Sequence, residues 1–214
     1  MHSASVEDYT KAIYALEERH GAASTNALAE RLGVSAPAVS AMVKKLAQLG
    51  YVRHSRYRGV RLTEEGRRVA LEVLRHHRLL ETYLVEELGV PWTDVHAEAE
   101  VLEHVLSEGL EARIAAKLGE PTHDPHGDPI QAPDGTVQES PTVALSSLTK
   151  GAVGRFVRVS DSDPILLREL TDLGISPGDR LEVASADPVA VRCRRRVHRL
   201  SPELAAAMRV EVDA

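Results

Sequence analysis

The sequence predicts a mainly α-helical chain with small β elements: an N-terminal winged helix-turn-helix, a helical middle segment and a small C-terminal β-barrel. Three observations predict it. Apolar residues recur at helical spacing until about residue 118. After residue 142, short Val/Leu/Arg stretches broken by Gly-Asp and Asp-Pro take their place. Aromatic residues make up 3% of the chain, too few for a core built mainly as an antiparallel sandwich, so helices must carry much of it. With 214 residues, 43% hydrophobic and 27% charged, the chain can bury a core and has room for three small domains.

Tyr9, Ala12, Ile13 and Leu16 predict an amphipathic helix over residues 5–19. A second helix starts at about Thr25, carries Leu28, Ala29 and Leu32, and stops at Gly33. Ser35 is a natural N-cap, Pro37 is tolerated in the first turn, and Val39, Met42, Val43 and Leu46 form one apolar stripe ending before Gly50. Two short helices joined at Leu-Gly-Val-Ser make a helix-turn-helix, whose second helix can enter a major groove. The following YVRHSRYRGVRLT reads as two β-prone stretches around an Arg-rich turn with Gly59, a wing whose tip meets phosphate. The exposed start of the recognition helix (Ser35, Ala36, Pro37, Ser40) is small and polar, which permits close approach to base edges. Lys44, Arg56 and Arg58 then serve as phosphate contacts that position without specifying. A charge run alone is as readily a solvated face. The acid-free stretch 44–61 together with the wing favours duplex DNA over a winged helix that makes only protein contacts.

The net charge of −6 conceals an uneven distribution. Residues 1–70 hold 11 basic and 7 acidic side chains (+4), residues 71–140 hold 4 and 15 (−11), and residues 141–214 hold 11 and 10 (+1). These three segments are the expected domains: DNA-binding, helical metal-binding and dimerisation with a linker, and β-barrel. In the middle one, a helix over 66–88 carries Leu71, Leu74, Leu80, Tyr83, Leu84 and Leu88, and a second runs from about Thr93 to Leu118. Two antiparallel helices with so much apolar surface pack on something else, often a copy of themselves, and a palindromic DNA site would call for the same two-fold dimer.

The middle segment also carries the chemistry. His77 and Glu81 lie four apart on one helical face, as do His96 and Glu100, with Glu103 and His104 following. Imidazoles and carboxylates so placed on adjacent helices can converge on a metal. Ion pairing on helix surfaces is the better reading of any one of them, and for the whole set spacing alone leaves the two readings level. A carboxylate-bridged di-metal enzyme would use similar residues. It leaves the winged helix unexplained, and the chain lacks the expected repeat of such motifs on four helices. The single cysteine, Cys193, excludes a disulfide framework, fits a reducing compartment and is expected to be a neutral, at least partly buried thiol. No apolar run approaches the length of a membrane span, and MHSASVEDYTKAIY lacks the basic start and apolar stretch of a secretory signal, so a cytoplasmic protein without a membrane partner is expected.

The segments EDYTKAIYALEE, LAERLGVSAPAVSAMVKKLAQLGYV, HHRLLETYLVEELGV, VHAEAEVLEHVLSEGLEARI and PHGDPI, in this order along nearly the whole chain, resemble one family. It is that of the diphtheria toxin repressor, the iron-dependent regulator and the manganese transport regulator. The resemblance implies a cytoplasmic homodimer that binds operator DNA when loaded with a divalent transition metal and represses metal-uptake genes. Activation of the same genes stays open, because operator position decides it. Carried over, the principal site implied is Asp8 with Glu100, Glu103 and His104. The second site implied is His77, Glu81 and His96, with Asp163 as a further ligand from the C-terminal domain and neighbouring Asp161 as its competitor. Iron-responsive members commonly have Met and Cys where this chain has Asp8 and Glu100. The harder oxygen donors here resemble the manganese branch, so Mn(II) is the implied ion and Fe(II) the next. Lys11 departs from that branch, which has a carboxylate there, and a charged Lys cannot ligate. A third domain is a feature of the longer, iron-type members.

Residues 119–142, rich in Pro, Gly and Asp, read as a linker or extended loop. His123, Asp124, His126 and Asp128 have metal-like spacing, but a structural role is the reading favoured here. The last segment predicts a small barrel with one short helix near 164–172. It resembles the SH3-like domain shared by the long regulators and a small iron-transport accessory protein. RCRRRVHR is taken as alternating basic residues on an exposed strand face and not as a nucleic-acid patch.

Overall fold

Apolar positions three and four apart wind the N-terminal stretch into three helices in the computed structural model, which describes residues 2–55, 58–132, 135–137, 140–160 and 163–213. Helix α1 (Ala4–His20) buries Val6, Tyr9, Ala12, Ile13 and Leu16 and ends at Gly21 in the left-handed region. Helix α2 (Thr25–Leu32) is capped by Ser24 Oγ, which accepts from Ala27 N at 3.1 Å, and stops at Gly33. Helix α3 (Ala36–Gln48) has Ser35 as N-cap and Pro37 in its first turn, and turns Val39, Val43 and Leu46 inward. Strands β1 (Val52–Ser55) and β2 (Gly59–Leu62) then form an antiparallel hairpin, pairing Val52 with Leu62 and Ser55 with Gly59. The hairpin is stitched to the stretch between α1 and α2 by reciprocal backbone bonds between Ala23 and Val60 (2.8 and 3.0 Å). That approach explains Gly59: its φ is +77°, and a Cβ there would sit 2.7 Å from Ala23 O. The result is a winged helix-turn-helix around one apolar cluster.

Helix α4 (Glu64–Leu88) opens on Thr63, whose Oγ1 accepts from Gly66 N at 3.1 Å. The single helix expected from Thr93 to Leu118 is two: α5 (Val95–Leu102) and α6 (Glu108–Lys117). The cause is a local start signal. Ser107 Oγ accepts from Leu110 N at 3.3 Å, and Glu108 and Glu111 place negative charge in the new first turn. Residues 103–107 therefore form the turn between the helices.

The chain divides into two compact units, Met1–His76 with Glu103–Leu106 and Gln131–Thr136, and His77–Leu102 with Ser107–Ile130 and Val137–Ala214. In the second, β3 (Val143–Ala144), β4 (Val153–Arg158), β5 (Arg180–Ala186), β6 (Val189–Cys193), β7 (Arg196–Arg199) and β8 (Arg209–Val212) form an antiparallel sheet in the order β3-β8-β4-β5-β6-β7. Helices α7 (Pro164–Leu173) and α8 (Pro202–Ala207) complete this SH3-like domain. Phe156, the chain's single phenylalanine, is fully buried among Leu167, Leu170, Ile175, Leu181 and Met208. Cys193 belongs to the same cluster, and burial pushes its thiol pKa up, as a neutral core cysteine requires.

The PHGDPI stretch is an ordered loop. Asp124 Oδ1 accepts from the backbone N–H groups of His126 and Asp128, both at 2.9 Å, and Ile130 N donates to Thr122 O at 2.9 Å. His126 O accepts from Val159 N at 3.0 Å, joining the loop to the residue that follows β4. Gly127, at φ +88°, lies so close to Val157 O that any Cβ would collide with it.

Candidate metal centre

Three groups of histidines and carboxylates stand out among the described residues. The first joins Asp8 on α1 to Glu103 and His104 in the turn after α5. His104 Nε2 lies 2.9 Å from Asp8 Oδ1 and 3.7 Å from Glu103 Oε1. Its other nitrogen, Nδ1, is 2.6 Å from Glu7 Oε2. A carboxylate on one ring nitrogen fixes the tautomer and leaves the other available for a cation, as is usual for a ligating histidine. Glu103 is fully buried, and its Oε1 is 2.6 Å from Lys11 Nζ. His76 Nδ1 lies 3.3 Å from the carbonyl of Glu103 and steadies the turn.

The second group is His77 and Glu81 on α4 with His96 and Glu100 on α5. His77 Nε2 is 3.1 Å from both Glu81 Oε1 and His96 Nδ1, and the last two atoms are 3.4 Å apart. Donors bound to one cation at about 2.1 Å lie about 3.0–3.4 Å from each other, so this triangle already has the size of a coordination face. Glu100 Oε1 sits 3.9 Å from His77 Nδ1 and 3.7 Å from His96 Nε2. Here the arrangement departs from the implied assignment, which grouped Glu100 with Asp8, Glu103 and His104. The helix break at residue 103 is the reason: Glu100 stays on α5 beside His96, whereas Glu103 and His104 leave in the turn.

The third group, Glu81, Asp124 and His126, is wholly buried. His126 Nε2 donates to Trp92 O at 2.8 Å and its ring stacks on Trp92, leaving Nδ1 3.6 Å from Glu81 Oε2. Neither of those two atoms has a hydrogen-bond partner among the described residues. Burial opposes charge on Glu81, but the imidazoles of His126, His77 and His96 prevail and hold its carboxyl well below the usual range. Burial likewise opposes charge on His126, yet Glu81 and Asp124 push it up to about 9. Burial, with Asp128 and Glu81 nearby, drives Asp124 well above an ordinary aspartate, against Arg78 and His126. Asp124 and His126 thus brace the loop and face Glu81 from behind. On its other side Glu81 presents Oε1 with His77 Nε2 and His96 Nδ1 at 3.1–3.4 Å from one another, an imidazole and carboxylate set without sulfur that fits a divalent cation.

Asp163 joins none of these groups among the described residues. It is the N-cap of α7, with Oδ1 accepting from Ile165 N (3.0 Å) and Leu166 N (3.4 Å). Asp161 lies outside the described residues, as does Arg56. On the winged helix, Ser35, Ala36, Pro37, Ser40, Lys44 and Arg58 are all exposed. Ser40 Oγ donates to Ala36 O at 3.0 Å, which leaves its lone pairs facing outward. Sequence reasoning missed Glu7, which directly precedes Asp8, and His76, which directly precedes His77. Adjacency to a candidate ligand is the signal that marks both.

A winged helix-turn-helix linked in one chain to paired histidine–carboxylate groups defines a metal-dependent transcriptional regulator. Residues 1–60 match the N-terminal DNA-binding domain of iron-dependent repressors, residues 63–132 their metal-binding and dimerisation domain, and residues 143–212 the FeoA domain. The chain is 36% identical over 194 residues to the iron-dependent repressor IdeR of Mycobacterium leprae, covering 85% of this chain and 84% of that one. Among solved structures it is similar to a manganese-dependent transcriptional repressor in complex with manganese, with 43% identity, a TM-score of 0.89, and 97% and 99% of the two chains covered. It is also similar to IdeR of T. acidophilum, with 30% identity, a TM-score of 0.81 and full coverage of both chains. The chain belongs to the iron-dependent repressor family, whose members are transcriptional repressors and not enzymes.

Proposed function

We propose that this chain is a repressor of metal-uptake genes that, loaded with a divalent transition metal, binds double-stranded operator DNA as a homodimer in the cytoplasm, with Mn(II) preferred and Fe(II) next. The observation that carries the reading is the first group. Asp8 comes from the first helix of the winged-helix domain, and Glu103 and His104 from the turn linking α5 to α6. A bound cation supplies two positive charges and coordination bonds where Glu7, Asp8 and Glu103 crowd negative charge. Asp8, Glu103 and His104 then tie α1 to the turn, and the ring of His104 is held for this by Glu7. Fixing α1 restricts the orientation of α3, and two copies so restricted present recognition helices at half-sites about one turn apart, or a multiple of it. The second group would be held by His77, Glu81, His96 and Glu100, and Asp163 is assigned to helix capping.

Manganese is preferred because both groups offer carboxylate oxygen and imidazole nitrogen, and the chain's only thiol lies in the buried cluster of the C-terminal domain. The manganese-dependent relative matches 97% of this chain, so the third domain does not argue for iron. For the dimer, Leu88, Val101 and Leu110 expose 62%, 70% and 50% of their surface, an apolar excess that pairing would cover. The division at about residues 70 and 140 into DNA-binding, metal-binding and SH3-like parts follows the same reading.

The test is selection of duplex DNA from a random pool by the full chain with Mn(II), followed by titration of the selected site with Mn(II), Fe(II), Zn(II) and Co(II) under anaerobic, chelator-controlled conditions. Manganese should activate binding at the lowest free concentration, and Asp8→Ala should weaken metal-dependent binding while the protein stays a folded dimer. DNA binding indifferent to metal removal would overturn the reading, and equal activation by iron and manganese would remove the preference.

A further inference from the structure

Within the first group, the residue that departs from the manganese pattern is not idle. Lys11 Nζ lies 2.6 Å from Glu103 Oε1, with the carboxylate side chain fully buried and that of Lys11 only 13% exposed. Lys11 stands three residues beyond Asp8 and four beyond Glu7 on α1, so all three side chains share a helix face with the ligand atoms. A buried carboxylate without a counter-charge is strongly unfavourable, and the ammonium supplies that charge within the protein. The oxygen it touches belongs to the same carboxylate that, with Asp8 and His104, would bind metal. An ammonium and a divalent cation on one carboxylate repel each other and divide its charge, and the lysine is tethered, so it competes at a fixed and high local concentration.

We propose that Lys11 is the built-in counter-cation of the first site: it holds Glu103 in place when no metal is bound and weakens metal binding there, so that it sets the metal concentration at which the regulator switches. The inference rests on the assignment of Asp8, Glu103 and His104 as a metal site. It also accounts for how a buried carboxylate is tolerated in the metal-free protein. A neutral residue at position 11 has two coupled consequences, tighter metal binding and a less stable metal-free state.

The test uses the full chain with His96→Ala in every variant, so that the second group does not contribute. Free Mn(II) is followed by electron paramagnetic resonance during titration, and thermal unfolding is recorded with and without Mn(II). Lys11→Met should bind Mn(II) at least about tenfold more tightly than the unmodified position, with a lower unfolding temperature in chelator and a larger rise on adding Mn(II). Lys11→Gln, which keeps a hydrogen bond to Glu103 without the charge, should shift in the same direction and stands in if the Met variant does not fold. Lys11→Arg should stay within about twofold of the parent. Arg19→Met, which removes the same charge two turns along α1, should leave the affinity unchanged, separating a local competition from a general field effect. Unchanged or weaker binding in both neutral variants, or tighter binding in Arg19→Met as well, overturns the proposal. His104→Ala is the separate control: if it binds Mn(II) as tightly as the parent, the metal-site assignment itself is wrong.

Discussion

At the scale of the residue, the chemistry turns on which atom of a side chain is left free. His104 meets Glu7 through Nδ1 and Asp8 through Nε2, at 2.6 and 2.9 Å, so the ring is held between two carboxylates of adjacent residues. Of the two, Asp8 is the one grouped with Glu103 and His104, so in the proposed site Asp8 would ligate and Glu7 would position the ring. Glu7→Gln keeps the size of the side chain but removes the charge that favours Nδ1–H. It should weaken Mn(II) binding by about 10- to 100-fold with the fold intact, as calorimetric titration would measure. Unchanged affinity would mean that Glu7 only fills space. Asp8, Glu103 and His104 were legible in the sequence as residue types at helical or family positions. Glu7 and the pairing of Lys11 were not, because both depend on contacts spanning more than ninety residues.

At the scale of the element, local signals decide most boundaries, and one of them outweighs the apolar periodicity. Gly33, Ser35 and Gly59 mark the helix-turn-helix and wing by backbone conformation and capping, and the structure follows them. Apolar spacing that continues past residue 102 predicts one second helix in the middle segment, yet Ser107 with Glu108 and Glu111 restarts the helix. That break separates Glu100 from Glu103 and so sorts one expected ligand set into two groups. The β-rich end was legible as small alternating stretches, but its order β3-β8-β4-β5-β6-β7 was not, since strand pairing between distant segments leaves no local mark. Ser107→Ala removes the acceptor for Leu110 N and should cost about 1 kcal/mol of stability. It should appear as a lower unfolding temperature in chelator and be largely recovered by the more conservative Ser107→Thr. Equal stability of all three proteins would show that the turn is held by its packing and not by the cap.

At the scale of the whole molecule, charge is distributed by task. The −6 total is the sum of a basic reader, an acidic middle and a nearly neutral SH3-like end, and only the first has to approach phosphate. Exposed Lys44, Lys45, Arg53, Arg58 and Arg61 lie in a stretch without a single acid, so the field felt by DNA at close range is set by them. Near physiological salt the Debye length is about 8 Å and screens the acidic middle, whereas at low salt its charge reaches further, which predicts a dependence on ionic strength that is not a single line. Between about 0.1 and 0.3 M salt, log affinity for DNA should fall linearly with log salt, by about 0.9 for each phosphate neutralised. At much lower salt the gain should level off, as repulsion from the acidic segment is no longer screened. Lys44→Ala should reduce the slope by about one while leaving the preferred sequence unchanged, because a phosphate contact positions without specifying. The measurement is fluorescence anisotropy of a labelled duplex across a salt series at saturating Mn(II). A straight line down to the lowest salt would mean that the net negative charge is not felt at the DNA. A slope unaffected by Lys44→Ala would remove that lysine from the interface.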